Sequence, residues 1–166
     1  MDNPLKNIYY YSDSSRKLLI GIILLWISTL IHHLYGAYIY NTLWRAIAPT
    51  LLFPVLLIFT IKLFKNFIGT PKYWQKIFFT STVLIIWIIP IGFMEGGYGH
   101  LLKNTLYYLD FNAETMHKLF PPEFGETRFF EVPNDIFFEI SGILQFIIGL
   151  YTLLYLVKFI NYIKND

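Results

Sequence analysis

Residues 18–40 read LLIGIILLWISTLIHHLYGAYIY, a stretch with no Asp, Glu, Lys or Arg. A helix needs about 20 mostly apolar residues to cross roughly 30 Å of hydrocarbon. Inside a bilayer no water is present to bond peptide groups, so a stretch of this kind must close its own hydrogen bonds as a helix. Three more runs share the character of the first: 44–64, 77–94 and 136–157. Pro49 and Pro54 interrupt the second and Pro90 sits near the end of the third. Neighbouring helices re-satisfy the carbonyls that a proline frees, so a kink is expected rather than a break. Gly142 and Gly149 in the fourth run are small enough to let another helix come close.

The expected fold is all-α: a polytopic membrane protein built as a four-transmembrane-helix bundle, one integral membrane domain over residues 1–166. Bulk composition agrees. The 166 residues are 55% hydrophobic and 20% aromatic, and only 14% are charged, against about a quarter charged in a soluble domain. A net charge of +2 without a lysine stripe gives no footprint for nucleic acid. The chain has no cysteine, which removes disulfides, thiolate metal sites and a cysteine nucleophile. The start of the chain lacks signal-peptide design: Asp2 and Asp13 lie among its basic residues, and no small-residue cleavage site follows the long apolar run. That run is expected to stay as a span.

The connections differ in charge. A few residues around Asn41–Leu43 join the first two runs. Lys62, Lys65, Lys72 and Lys76 surround the second connection. The third, residues 95–135, holds Asp110, Glu114, Glu123, Glu126, Glu131 and Asp135 against Lys103, Lys118 and Arg128. With Lys6, Arg16 and Lys17 before the first run and Lys158 and Lys164 near the other end, four spans put the lysine-rich parts on one side. The positive-inside rule makes that side, with both termini, cytoplasmic. Tyr35, Tyr38, Tyr40 and Trp44 fit one interfacial belt, Tyr73 and Trp74 the other. The long segment carries Leu102, Leu106 and Leu109 at helical spacing, and Asn112 is a suitable N-cap for a second short helix ending before Pro121 and Pro122. It reads as a short helical outer cap between helices 3 and 4.

The polar residues that could carry chemistry fall at that outer face: His32 and His33 near the end of the first span, Arg45 opening the second, Glu95 and His100 around the glycine-rich GGYG, Asn104, and Asp135 and Glu139 opening the fourth. Ionisable groups at membrane depth are costly and mark an interior or a watery cavity. Neighbouring helical residues point about 100° apart, so only one of His32 and His33 is expected to face a shared cavity, with Gly36 opening space beside them. Glycines can turn the chain sharply, which would fold His100 back toward Glu95. Imidazoles with carboxylates suit Zn²⁺, Fe²⁺ or Mn²⁺, giving His32, His33, Glu95, His100 and Glu139 as candidate ligands. Glu95 and Glu139 are the candidate catalytic acid and base, and Arg45, Asn104 and Asp135 are supports. The plainer alternatives are interfacial imidazoles, a solvated helix end at Glu95, and Asp135 complementing the helix N-terminus. Gln145 reads as glue between helices. A competing anion site would use a nest of amides at Gly96, Gly97 and Gly99.

Two classes of function follow. One is an enzyme acting on a membrane-dissolved substrate through this polar site. The other is non-enzymatic: a small subunit of a larger membrane complex, or a lipid-headgroup-binding protein. The partners implied are membrane lipid, other membrane subunits or a second copy of the chain, and no nucleic acid.

The lysine distribution gives a topology that fusions can test. A cytoplasm-reporting fusion at residue 166 is expected to be active, and one placed between Asn112 and Arg128 inactive. Matching signals at both positions would remove the four-span topology.

Overall fold

The computed structural model describes residues 4–65, 73–121, 133 and 135–164. Lys72, Pro122, Glu123, Glu126, Arg128 and Glu131, all named above, lie outside the described residues, as do the side chains of Lys6 and Lys164. The described part is 91% helical with no strand. Helix α1 covers Pro4–Ile39; α2, Trp44–Ile47, passes through a wide π-turn, π1, Ala48–Leu52, into α3, Phe53–Lys65. Helix α4, Tyr73–Thr82, runs into a long π-type segment, π2, Val83–Leu102, and on into α5, Lys103–Tyr108. Then follow α6, Ala113–Leu119, and α7, Ile136–Lys164. Four of these continuous helices are long and apolar enough to cross a membrane: Asp13–Ile39, Trp44–Lys65, Tyr73–Tyr108 and Ile136–Asn161. Their outward faces are apolar, with Ile31, Leu51, Ile58, Ile85, Ile140 and Leu154 exposed. The chain has the build of a multi-pass integral membrane protein.

The proline-bearing second span shows how a kink is accommodated. In π-winding the amide of residue 54 would bond the carbonyl of residue 49, but Pro54 has no amide hydrogen. Trp26 Nε1 of α1 donates to that Pro49 oxygen at 3.2 Å. The connection behind α1 is closed by Asn41 in the left-handed region (φ 53°), a conformation that asparagine tolerates.

The third span departs from expectation. The chain does not turn at the glycines after Met94; the helix continues through Glu95 and His100 to Tyr108. Its buried residues, Val83, Trp87, Ile88, Ile91, Gly92, Gly96 and His100, recur about every four positions. That step suits wide winding rather than the 3.6 residues of an α-helix. The glycines serve contact instead of turning. A Cβ built on Gly92 would stand 2.9 Å from the Gly149 Cα, and one on Gly96 would stand 2.5 Å from the Phe146 nitrogen and 2.8 Å from the Gly142 oxygen. Backbone thus lies on backbone between π2 and α7, in the manner of small-residue packing within membranes. No amide nest forms at Gly96, Gly97 and Gly99, because all three are inside the helix.

Helix α7 packs along both π2 and α1. Away from the histidines, Leu18, Ile22, Leu25, Leu57, Phe79, Val83, Trp87, Leu156 and Phe159 from all four spans make one apolar core. Its buried polar bond runs from Trp87 Nε1 to Thr60 Oγ1 at 3.0 Å. Gln145 Nε2 donates to Thr29 Oγ1 at 3.2 Å, joining α7 to α1.

The glycine contact predicts a contrast. Gly96→Ala forces two backbones apart and is expected to destabilise the detergent-solubilised protein by about 1–3 kcal/mol in a denaturant titration. Gly99→Ala meets only the Met94 oxygen, at 3.5 Å, and is expected to be neutral or stabilising by up to about 1 kcal/mol. Equal effects would refute the packing role.

Candidate functional site

Three helices meet at the ends that carry the polar residues. From α1, His32 and His33 both reach Glu95 of π2: His33 Nε2 is 2.7 Å and His32 Nε2 3.5 Å from the same Oε1. The expectation that only one histidine would face the site is therefore corrected. Their rings stand edge to face, with centroids 5.5 Å apart, and the flexible Glu95 side chain lies between them, spanning the angle that the helix sets. His32 is further fixed by Ser141 of α7, whose Oγ lies 2.9 Å from Nδ1, and by Phe138, stacked on its ring at 4.1 Å. With the Nε2 proton directed to Glu95, the tautomer of His33 leaves a lone pair on Nδ1. That nitrogen is buried and has no hydrogen-bond partner among the described residues.

Glu139 of α7 gathers a second set. His100 Nδ1 lies 2.7 Å from its Oε2, Lys103 Nζ donates to its Oε1 at 2.7 Å, and Asn104 Nδ2 donates to Oε2 at 3.1 Å. All four side chains are buried, Lys103 at 2% exposure and Glu139 at 5%. Positions 100, 103 and 104 share one helical face, so a single turn delivers all three donors to one carboxylate. This arrangement balances charge where leaving one unpaired is costly. Lys103 was read from sequence as a charge of the outer segment, and its pairing with Glu139 was not foreseen. The signal was its spacing from His100, and it becomes readable only once the helix is known to run through the glycines.

The two sets touch through His32 and His100, whose ring centroids are 4.7 Å apart. A cavity of about 430 Å³ opens beside them, lined by His32, His33, Arg45, Glu95, His100 and Lys103 with apolar walls that include Trp44, Pro90 and Phe138. Arg45 is buried, its guanidinium 5.7 Å from the Tyr40 ring and 5.4 Å from that of Trp44. Tyr98 of π2 donates its hydroxyl to the Leu119 carbonyl and packs on Phe120, centroids 5.0 Å apart, which brings the end of α6 to the cavity. Asn112 is the N-cap of α6, accepting from Thr115 N at 2.8 Å. Asp135 is the N-cap of α7: Oδ1 accepts from Phe138 N at 2.8 Å and Oδ2 from the Tyr35 hydroxyl at 3.1 Å. Glu139, Asn104 and Asp135 line a separate cleft on the other side of the α5–α7 seam.

The five expected metal ligands are thus divided. Among the described residues no three His, Asp or Glu groups are placed to hold one ion. Glu139 has the Lys103 ammonium on one oxygen, a neighbour that repels a cation, and its other oxygen already takes His100 and Asn104. The set expected from residue types for Zn²⁺, Fe²⁺ or Mn²⁺ does not assemble. The arrangement instead offers proton transfer at imidazoles held by carboxylates.

No family model, curated protein or solved structure matches the chain.

The Glu139–Lys103 pair predicts a thermodynamic cycle. Glu139→Gln strands a buried ammonium and is expected to cost about 3–5 kcal/mol in an unfolding titration. Adding Lys103→Met is expected to restore most of that loss. A double variant no better than the single one would show that the pair does not hold the two helices.

Proposed function

We propose that this is a four-helix membrane bundle, both termini cytoplasmic and its mouth capped by α5 and α6, in which His33 and Glu95 form the acid–base centre of an enzyme acting on a membrane-dissolved substrate. The observation that carries the reading is the pair itself: a carboxylate 2.7 Å from His33 Nε2, on a histidine that lines the cavity and whose Nδ1 is buried without a hydrogen-bond partner among the described residues. A carboxylate that fixes one imidazole nitrogen directs the other to act as base. In this scheme Nδ1 takes a proton from the substrate. The resulting imidazolium is held by Glu95, and it returns the proton to the substrate at the close of the reaction.

The remaining residues fit that chemistry. Arg45 and Lys103 line the cavity, where positive charge favours a substrate that becomes negative as it loses a proton. His32, fixed by Ser141 and Phe138, keeps Glu95 between two imidazoles. The apolar walls suit an aliphatic or aromatic body, and a few convergent polar groups suffice to orient it. A substrate dissolved in the bilayer enters sideways between the helices.

Mass spectrometry of lipid extracts tests the proposal without knowledge of the substrate. Cells producing the protein are expected to accumulate at least one lipid-soluble product that is absent from cells without it. Glu95→Gln and His33→Asn should each lower it about 100-fold or more, the usual contribution of a general base. Identical extracts from wild-type and variant cells would overturn the enzyme and leave the subunit reading, for which a co-purifying membrane protein is the signature.

A further inference from the structure

The second cleft has no part in that chemistry. It has a volume of about 410 Å³ and lies between α5 and α7, lined by Leu101, Asn104, Thr105, Asp135, Glu139 and Ile140 among others. Its polar atoms are almost all acceptors. Asp135 and Glu139 bring two carboxylates, and the Thr105 hydroxyl has spent its proton on the Leu101 carbonyl at 2.7 Å. Asn104 is decisive. It is 8% exposed, its Nδ2 is committed to Glu139, and its Oδ1 is buried with no hydrogen-bond partner among the described residues. A buried amide oxygen without a partner costs about 1–3 kcal/mol, a cost that an occupant bearing N–H groups would remove.

Charge narrows the occupant. Glu139 is met by Lys103, whereas the Asp135 carboxylate is held by the Tyr35 hydroxyl and the Phe138 amide and by no cation among the described residues, so a cation is favoured. Asn104 and Asp135 both line the cleft, and their oxygens call for N–H donors, which a primary ammonium has and a quaternary one lacks. Depth narrows it again. Tyr108 ends the third span and Ile136 begins the fourth, so the cleft sits where lipid headgroups lie. Ile136 and Ile140, 79% and 60% exposed on the side of α7 that continues into the bilayer, offer an apolar track for acyl chains. We propose that the α5–α7 cleft binds a phospholipid with a primary ammonium headgroup, the ammonium seated against Asn104 Oδ1 and the Asp135 carboxylate.

Native mass spectrometry of the detergent-purified protein tests this. The protein is incubated with an equimolar mixture of phosphatidylethanolamine, phosphatidylcholine and phosphatidylglycerol of identical acyl chains. Phosphatidylethanolamine is expected to be retained about tenfold over the other two, the equivalent of one charged hydrogen bond. Asp135→Asn removes a charge while keeping a residue that still caps α7, and Ile140→Trp fills the lip of the cleft from an exposed position. Each is expected to reduce retention to the level of phosphatidylcholine in a protein that stays folded and monodisperse. Equal retention of the three lipids, or retention unchanged in both variants, would overturn the site. Displacement of the lipid by free ethanolamine at equal concentration would overturn the lipid and assign the cleft to a small amine. These outcomes do not depend on His33 and Glu95, so the enzyme reading stands or falls separately.

Discussion

The close approach of π2 to α7 is the constraint on which the rest of the structure depends. Hydrophobic burial gives little drive for helix association in lipid, so packing distance and polar bonds must supply it. Glycines remove the side chains that would hold the two backbones apart, at Gly92 against Gly149 and at Gly96 against the Gly142 carbonyl. The same notches place the rings of the site. A Cβ on Gly142 would overlap the His100 ring, and one on Gly36 would stand 2.6 Å from Phe138. His100 therefore lies flat against α7, where Nδ1 meets Glu139. Phe138 is seated in α1, where it stacks on His32. Small residues decide where the imidazoles go, and the imidazoles decide which carboxylates they meet.

This packing also explains why charge is tolerated at such depth. A lone carboxylate or ammonium moved out of water loses several kcal/mol of solvation even after relaxation. Each of the two carboxylates is met across helices: Glu139 by Lys103, His100 and Asn104, and Glu95 by His33, with His32 beside it. The compensation crosses helices and so requires the interhelical distances to be right. The apolar core around Trp87 and Phe159, from all four spans, holds the opposite part of the structure and leaves this end free to be polar.

The spans were legible in the sequence because hydropathy over twenty residues is a strong signal, and Asp135 and Gln145 took the plain structural roles weighed for them. The third span was not legible to its end. Glycine beside glycine is ordinarily a helix end, and only the partner surface on α7, invisible in a linear reading, turns that cost into close contact. The mistake carried forward. With the helix ended at Met94, Lys103 fell in a separate short helix of the outer segment, and Glu139 was left to be paired with imidazole or metal. Residue type picked out His32, His33, Glu95, His100 and Glu139, which lie in two carboxylate sets that touch through His32 and His100. They do not gather as one ligand set among the described residues, because pairing depends on which groups share a turn, and winding near four residues per turn shifts that register.

The two carboxylate sets differ in what their partners permit. The Lys103 ammonium on Glu139, at 2.7 Å, is a counterion that ties α5 to α7. An imidazole nitrogen can accept a proton or donate one, and the Glu95 set holds two imidazoles where the Glu139 set holds an ammonium. His100 stands between them: its ring meets His32 while its Nδ1 bonds Glu139. One carboxylate is locked into the architecture, and its lock positions the wall of the cavity in which the other is left chemically available. Here the division follows the helices themselves, with α1 supplying His33 and His32 to Glu95, and the turn that bears Lys103 supplying Glu139.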